Sequence, residues 1–129
     1  MRVLGIDFGI KRVGIAIGDD KMKFAFPHRV LTNNVKTISA ITALCKKEDI
    51  LYVVIGESVD YKNKPNPIMK DIEKFKEKLL ERIDIPIYYH KETLTTKEAI
   101  RLQGKHEKID SSSAALILLG FFDKNKNDS

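Results

Sequence analysis

Apolar residues alternate with small or polar residues at the start of the chain, a pattern typical of β-strands. The predicted strands are Arg2–Asp7, Arg12–Gly18 and about Phe24–Leu31. The first two are separated by a short turn and should pair as a hairpin, so the three form an antiparallel meander. From Asn34 the apolar residues recur at helical spacing, which predicts a helix that ends near Lys47.

The second half of the chain alternates between strand and helix patterns. The segment ILYVVIGE, which ends at Glu57, is a continuous apolar run that indicates a buried parallel strand. A polar loop, an amphipathic helix and a strand over PIYYH follow, and Thr95 and Glu98 have the spacing of a capping box at the start of another helix. A last, largely apolar helix is expected from Asp110 to Phe122. This order predicts an α/β fold with a five-stranded mixed sheet, the meander plus two parallel strands, flanked by helices.

An aspartate ends the first strand, and the face that it shares is lined by small residues. Alternation places Gly5 and Asp7 on one face, and the second strand adds three small residues, Gly14, Ala16 and Gly18. A ligand could therefore approach this backbone closely. The alternative is that a helix packs against the glycines and that Asp7 caps a turn.

The composition fits one domain. The chain has 129 residues, of which 43% are hydrophobic. We expect a single domain over 1–123 and a polar tail over 124–129. Because no apolar run approaches the roughly 20 residues that span a bilayer, we expect a soluble, cytoplasmic protein without a membrane partner. The single cysteine, Cys45, is expected to be a small buried apolar residue.

The charge balance favours a polyanionic partner. Lys and Arg number 23 against 18 Asp and Glu, which gives a net charge of +5. Nucleic acid is the partner that this excess suggests. Many of the lysines lie among glutamates on one predicted helix, however, where they indicate a solvated face.

Three segments resemble the motifs of the YqgF/RuvX family of the ribonuclease H-like superfamily. They are GIDFGIKRVGIAIGD at the start, KETLTTKEA from Lys91 to Ala99, and DSSSAALIL from Asp110 to Leu118. The resemblance implies a ribonuclease H-like fold and a metal-dependent endonuclease. It also implies a role in maturation of the precursor of 16S ribosomal RNA, and a relation to Holliday-junction resolvases.

The same resemblance implies that the catalytic, metal-binding residues are Asp7, Glu92 and Asp110. Hydrolysis with two Mg²⁺ or Mn²⁺ ions needs oxygen ligands, which carboxylates supply. Glu57 also ends a predicted parallel strand and is a second candidate. Glu92 is favoured because the segment KETLTT resembles the family motif that carries the glutamate and Thr95 would fix it by capping the next helix, whereas Glu57 is predicted to open a polar loop, where it would be held less firmly. For Asp110 the alternative is an ordinary helix N-cap. His90 could orient water or substrate, or could be a partly buried strand residue.

Candidate contacts to nucleic acid lie near this predicted site. The turn after Asp7 carries Lys11 and Arg12, which could hold a phosphate or simply form a charged hairpin tip. The loop after Glu57 adds an aromatic residue and two cations suited to a single strand, Tyr61, Lys62 and Lys64. The serines Ser111 to Ser113 could donate hydrogen bonds to a phosphate at the N-terminus of the last helix.

Other functions are compatible with the sequence. The substrate could be a DNA junction, as in resolvases, instead of RNA. The middle motif departs from the Asp-Glu-Arg-Leu-Thr of many relatives, so a non-catalytic RNA-binding scaffold is an alternative. The glycine-rich hairpin also resembles the phosphate-binding hairpin of actin-like ATPases, which need two such domains. The oligomeric state is left open.

Overall fold

The chain forms one mixed sheet of five strands with helices on both faces. The computed structural model describes residues 1–60, 62, 64–93 and 109–126, with the backbone alone for 92, 93, 109–112, 125 and 126. The strands are β1 (Arg2–Phe8), β2 (Arg12–Asp19), β3 (Phe24–Thr32), β4 (Val53–Val59) and β5 (Ile87–Thr93). The helices are α1 (Thr37–Lys47), α2 (Met69–Leu80) and α3 (Ile109–Lys126).

The strand order is β3-β2-β1-β4-β5. The β1–β2 and β2–β3 pairs are antiparallel, and the β1–β4 and β4–β5 pairs are parallel. The predicted α/β class and mixed sheet are therefore confirmed. β1 and β4 lie at the centre of the sheet, which explains why their sequences are nearly continuous apolar runs.

Alternation along the strands builds two separate cores. On one face, Leu4 and Ile6 of β1 pack with residues of α1 and α2, and the rings of Phe8 and Phe75 lie 5.0 Å apart between centroids. On the other face, Val3 packs beneath α3. Because Asp7 has the same parity as Val3 and Gly5, it belongs to the α3 face.

Glycine allows α3 to lie very close to the sheet. A Cβ atom on Gly5 would lie 2.7 Å from the carbonyl oxygen of Ala114 and 2.6 Å from Cγ of Leu118. A Cβ atom on Gly18 would lie 3.1 Å from Cδ1 of the same leucine. The alternative interpretation of these two glycines, that a helix packs against them, is therefore correct. α3 is apolar over much of its length, but no helix in the described part of the chain is long and apolar enough to cross a membrane.

Two elements extend beyond their predicted boundaries, β4 and the last helix. β4 was expected to end at Glu57, but its ladder with β5 runs from Val53 opposite Ile87 to Val59 opposite Thr93. α3 continues beyond Phe122 to Lys126 because no residue in between breaks a helix. The helix predicted to begin after Thr95 lies outside the described residues.

Cys45 faces the core from α1, as expected. It is buried, and burial raises the pKa of its thiol to about 11. A thiol with this pKa stays protonated near neutral pH and packs as a small apolar side chain.

Candidate active site

Asp7 lies near the carboxyl end of β1 and is 6% exposed. On β2 its direct neighbour is Gly14. On the other side, continuing the β1–β4 register one step past Ile6 and Ile55 brings it opposite Gly56. The carboxylate thus lies between two residues that have no side chain. A buried carboxylate is compensated by hydrogen bonds or positive charge, and Asp7 makes at least one hydrogen-bonding or electrostatic interaction in the described part.

α3 crosses above Gly5, two residues before Asp7 on the same face. The carbonyl of Ala114 and the side chain of Leu118 both approach Gly5, and Leu118 also approaches Gly18, which is opposite Val3. Further along the helix Gly120 lies against His90 of β5, so α3 contacts strands on both sides of β1. Asp110 is four residues, about 6 Å of helix, before Ala114, and its side chain is outside the described part.

The register places Glu92 on the same side of the sheet as Asp7. Its backbone pairs with Ser58, and it has the same parity as His90, which lies beneath α3 next to Gly120. β5 continues through Glu92 to Thr93, so this residue lies within the strand and not after it.

Glu57 lies on the opposite face. It pairs with Lys91 in the β4–β5 ladder. It has the same parity as the β4 residues that pack beneath α1 and α2, so it lies on their face. The pKa of Tyr89 on that face is raised by burial first and then by three nearby carboxylates, those of Glu73, Glu57 and Glu77. The expectation that Glu57 opens a loop is wrong, because the ladder to β5 holds it inside β4. Glu57 stays the weaker candidate for a metal ligand, now because it lies on the opposite face of the sheet from Asp7.

The β1–β2 turn is held by Asn33, which the sequence did not single out. The Asn33 side-chain amide donates a hydrogen bond of 2.8 Å to the carbonyl of Gly9, and its backbone N–H donates one of 2.9 Å to the carbonyl of Lys11. A Cβ atom on Gly9 would lie 2.6 Å from the carbonyl oxygen of Arg12, so this turn requires glycine. Lys11 and Arg12 are both exposed beside the end of β1, as the turn prediction requires.

The loop after β4 is organised by Asp60. One oxygen of its carboxylate accepts hydrogen bonds from the backbone N–H groups of Lys62 and Lys64, at 2.8 and 2.9 Å. Both lysines are exposed, whereas Tyr61 lies outside the described residues. The sequence could have indicated this loop conformation, because an aspartate in a turn commonly accepts a hydrogen bond from the backbone N–H two residues later.

The structure bears on two further predictions about polar residues, those for Ser113 and His90. Ser113 is fully buried, so it cannot contact a phosphate at the surface; its hydroxyl has no hydrogen-bond partner among the described residues. The side chain of Ser111 is outside the described part. His90 is half-buried against Phe121, and its pKa is lowered by burial and by the positive charge of Lys124. The alternative that His90 is a partly buried strand residue describes this arrangement.

The described side chains alone do not complete a metal centre. Among them, no three of His, Cys, Asp and Glu cluster closely enough to hold an ion. Asp7 is described in full, while Glu92 and Asp110 are placed by their backbones on the same face. A buried carboxylate between two glycines, with acidic positions on β5 and at the start of α3, fits the oxygen-rich donor set that Mg²⁺ and Mn²⁺ prefer.

Sequence comparisons give a consistent family. The family model described as RuvX, Holliday junction resolvase, matches residues 1–124. A Caldanaerobacter subterraneus protein, named as a candidate pre-16S rRNA nuclease, is 34% identical over 98% of this chain and 99% of its own. A Maridesulfovibrio salexigens protein of the same name is 33% identical over 92% of this chain and 95% of its own.

Solved structures show the same fold at low identity. Thermus thermophilus RuvC in complex with a Holliday junction substrate superposes with a TM-score of 0.63 at 16% identity, covering 98% of this chain and 96% of that one. The fowlpox virus resolvase with Holliday junction DNA gives a TM-score of 0.56 at 12% identity, covering 97% and 99%. These likenesses establish a resolvase-type, ribonuclease H-like fold for this chain.

Proposed function

The chain belongs to the RuvX family, and from that premise we propose that it is a nuclease that hydrolyses phosphodiester bonds in the precursor of 16S ribosomal RNA. The observation that carries the proposal is the position of Asp7, a buried carboxylate near the carboxyl end of β1 beside Gly14, on the face of the sheet that α3 covers. The relatives named for pre-16S rRNA cleavage cover nearly the whole chain. We expect it to act in the cytoplasm, where that precursor is made.

We propose that Asp7, Glu92 and Asp110 hold one or two Mg²⁺ or Mn²⁺ ions. Such ions, when bound, activate water and neutralise negative charge on the scissile phosphate. The chain's own contribution is rigidity. β1 pairs with β2 through Asp7 and with β4 up to Ile6, which holds Asp7 firmly, and Gly5 and Gly18 let α3 pack closely on this face at Ala114 and Leu118.

Binding and orientation of the substrate fall to the turn after β1. Lys11 and Arg12 are exposed there, and Asn33 fixes the backbone that carries them. Cations at this position can hold the phosphate next to the scissile bond and so set the register of the strand. The lysines Lys62 and Lys64 extend this positive surface on the loop that Asp60 organises.

A DNA junction is the second candidate substrate, favoured by the description of the matching family as a Holliday junction resolvase. Comparing cleavage of a 16S precursor with cleavage of a four-way DNA junction, both with Mn²⁺, distinguishes the two. Preferential cleavage of the junction would contradict the RNA assignment.

The decisive test of catalysis is Asp7→Asn, which removes the charge without changing the shape of the side chain. We expect cleavage of the RNA precursor to be abolished and the melting temperature to hold or rise, because neighbouring carboxylates repel one another in the absence of metal. Cleavage at the wild-type rate by this variant would show that Asp7 is not catalytic. If the wild-type protein binds the precursor but does not cleave it with either metal, the scaffold alternative is correct.

A further inference from the structure

An open aromatic cleft lies on the same face as Asp7, at the edge of the sheet formed by β5. Its volume is about 520 Å³, and its lining from this face is aromatic with one cation: Tyr52, Tyr88, His90, Phe121 and Lys124. Tyr89 also borders it, but its ring lies on the opposite face beneath Lys76 of α2. Of these residues, only His90 was considered a candidate from the sequence. We propose that this cleft stacks an unpaired base of the nucleic-acid substrate.

The rings are arranged as a stacking platform. Tyr88 and Phe121 stack at 5.8 Å between centroids with an interplanar angle of 27°, and Tyr52 meets Tyr88 edge-on at 5.5 Å. Tyr88 nevertheless remains 45% exposed on the outermost strand. A large aromatic surface kept at an open edge can stack a flat base, whereas core packing would bury it.

The chain shapes this cleft by placing a glycine in the middle of α3. A Cβ atom on Gly120 would lie 2.5 Å from Nε2 of His90, so any other residue would displace the imidazole or the helix. Glycine inside a helix is less stable than alanine. That cost is offset here by seating His90 at the base of the cleft, with its ring edge-on to Phe121.

The charges favour a polyanion at this position. Lys124 lines the cleft close enough to lower the pKa of His90. Among the described residues, carboxylates also act on the lining: Asp20 helps to raise the pKa of Tyr52 after burial, and Glu73, Glu57 and Glu77 act on Tyr89 from the opposite face. An aromatic platform with a cation at its rim is the combination that binds single-stranded nucleic acid.

The cleft also lies in line with the proposed active site. His90 pairs with Gly56, and Gly56 is the β4 residue that comes next to Asp7 when the β1–β4 register is continued. Two strand spacings separate Asp7 from His90, about 10 Å across the sheet. One strand of a substrate can therefore reach both positions, so the cleft selects an unpaired nucleotide next to the scissile bond.

This inference depends on the proposed function only in taking nucleic acid as the ligand, and its test measures binding without cleavage. The probes are a fluorescently labelled single-stranded oligoadenylate RNA, the same RNA with abasic sites, and a blunt RNA duplex, all in EDTA. We expect Tyr88→Leu to weaken binding of the base-bearing single strand by roughly 5- to 100-fold, as loss of one stacked base predicts. Binding of the abasic strand and of the duplex should be unchanged by the substitution.

The matched control is Phe26→Leu, which replaces an aromatic residue that is 63% exposed on β3 at the other edge of the sheet. It should leave all three affinities unchanged. If Tyr88→Leu does not fold, the wild-type protein still decides the question, since it must bind the base-bearing strand more tightly than the abasic one. Equal affinity of the wild-type protein for these two strands, or an equal loss for strand and duplex in Tyr88→Leu, would overturn the proposal. A failure to cleave any RNA would refute the proposed nuclease but not this site.

Discussion

Substitution of Gly5 by alanine tests whether close packing of α3 on β1 sets the geometry of the site. The added methyl group would lie 2.6 Å from Cγ of Leu118 and 2.7 Å from the backbone carbonyl of Ala114. Neither distance is compatible with van der Waals contact, and the carbonyl is part of the helix backbone. The helix must therefore move away from the sheet.

The magnitude follows from two opposing effects. Forcing an extra methyl group into a packed core typically costs about 1–3 kcal/mol. Replacing glycine by alanine in a strand returns roughly 0.5–1 kcal/mol. The net expectation is a loss of about 1–2 kcal/mol in the free energy of unfolding. Because the N-terminus of α3 moves with the helix, cleavage should fall by about a hundredfold for a displacement near 1 Å.

The assays are urea unfolding and metal-dependent RNA cleavage at a temperature where the variant is fully folded. Leu118→Ala in the same background provides a check, since it removes one of the two clashing groups. Its destabilising effect should be smaller with Ala at position 5 than in the wild type, with a coupling of about 0.5–3 kcal/mol. A neutral or stabilising Gly5→Ala with full activity would refute the close approach of α3.

Three other predictions follow from the structure. Asn33→Ala should lower the free energy of unfolding by about 0.5–1.5 kcal/mol in urea unfolding, because the hydrogen bond to Gly9 is lost, and should weaken RNA binding; unchanged binding would show that the turn does not need this bond. Lys11→Ala and Arg12→Ala should each reduce the salt slope of RNA affinity by about one, and slopes equal to the wild type would place the phosphate contacts elsewhere. Burial raises the pKa of Cys45 from 9.0 to about 11. Between these values the thiol is protonated in the folded state and ionised in the unfolded state, so the free energy of unfolding should fall as pH rises through that range. Cys45→Ala should flatten that part of the stability–pH curve, and an identical curve would contradict the raised pKa.

The sheet was predictable because its strands have local signatures. Alternation in β1 and β2 predicted their antiparallel pairing, and the apolar run of β4 predicted a buried parallel strand. The order in which β4 and β5 join β1 was not predicted. The end of β4 was not predictable in this way. Glu57 and Ser58 are polar and resemble the start of a loop, but they stay in the strand because β5 pairs with them from more than thirty residues away.

The candidate site residues come from motifs and stay a prediction, whereas the contacts that support Asp7 were not predictable. Asp7 and its glycine neighbours lie where the strand pattern placed them. The hydrogen bond from Asn33 to Gly9 joins residues 24 apart in the sequence, and no local pattern indicates it. In the same way, contact of α3 with Gly5 and Gly18 depends on how the last helix crosses the sheet.

Comparing Glu92→Gln with Glu57→Gln tests the central claim, that the active site lies on the α3 face of the sheet. RNA cleavage by both variants and the wild type is measured across a manganese titration. Glu92→Gln should lower the rate at least about a hundredfold, as expected when a metal ligand is lost, while Glu57→Gln, on the opposite face, should cost about tenfold or less. An inactive Glu57→Gln beside a nearly normal Glu92→Gln would place the active site on the other side of β4 and contradict the account.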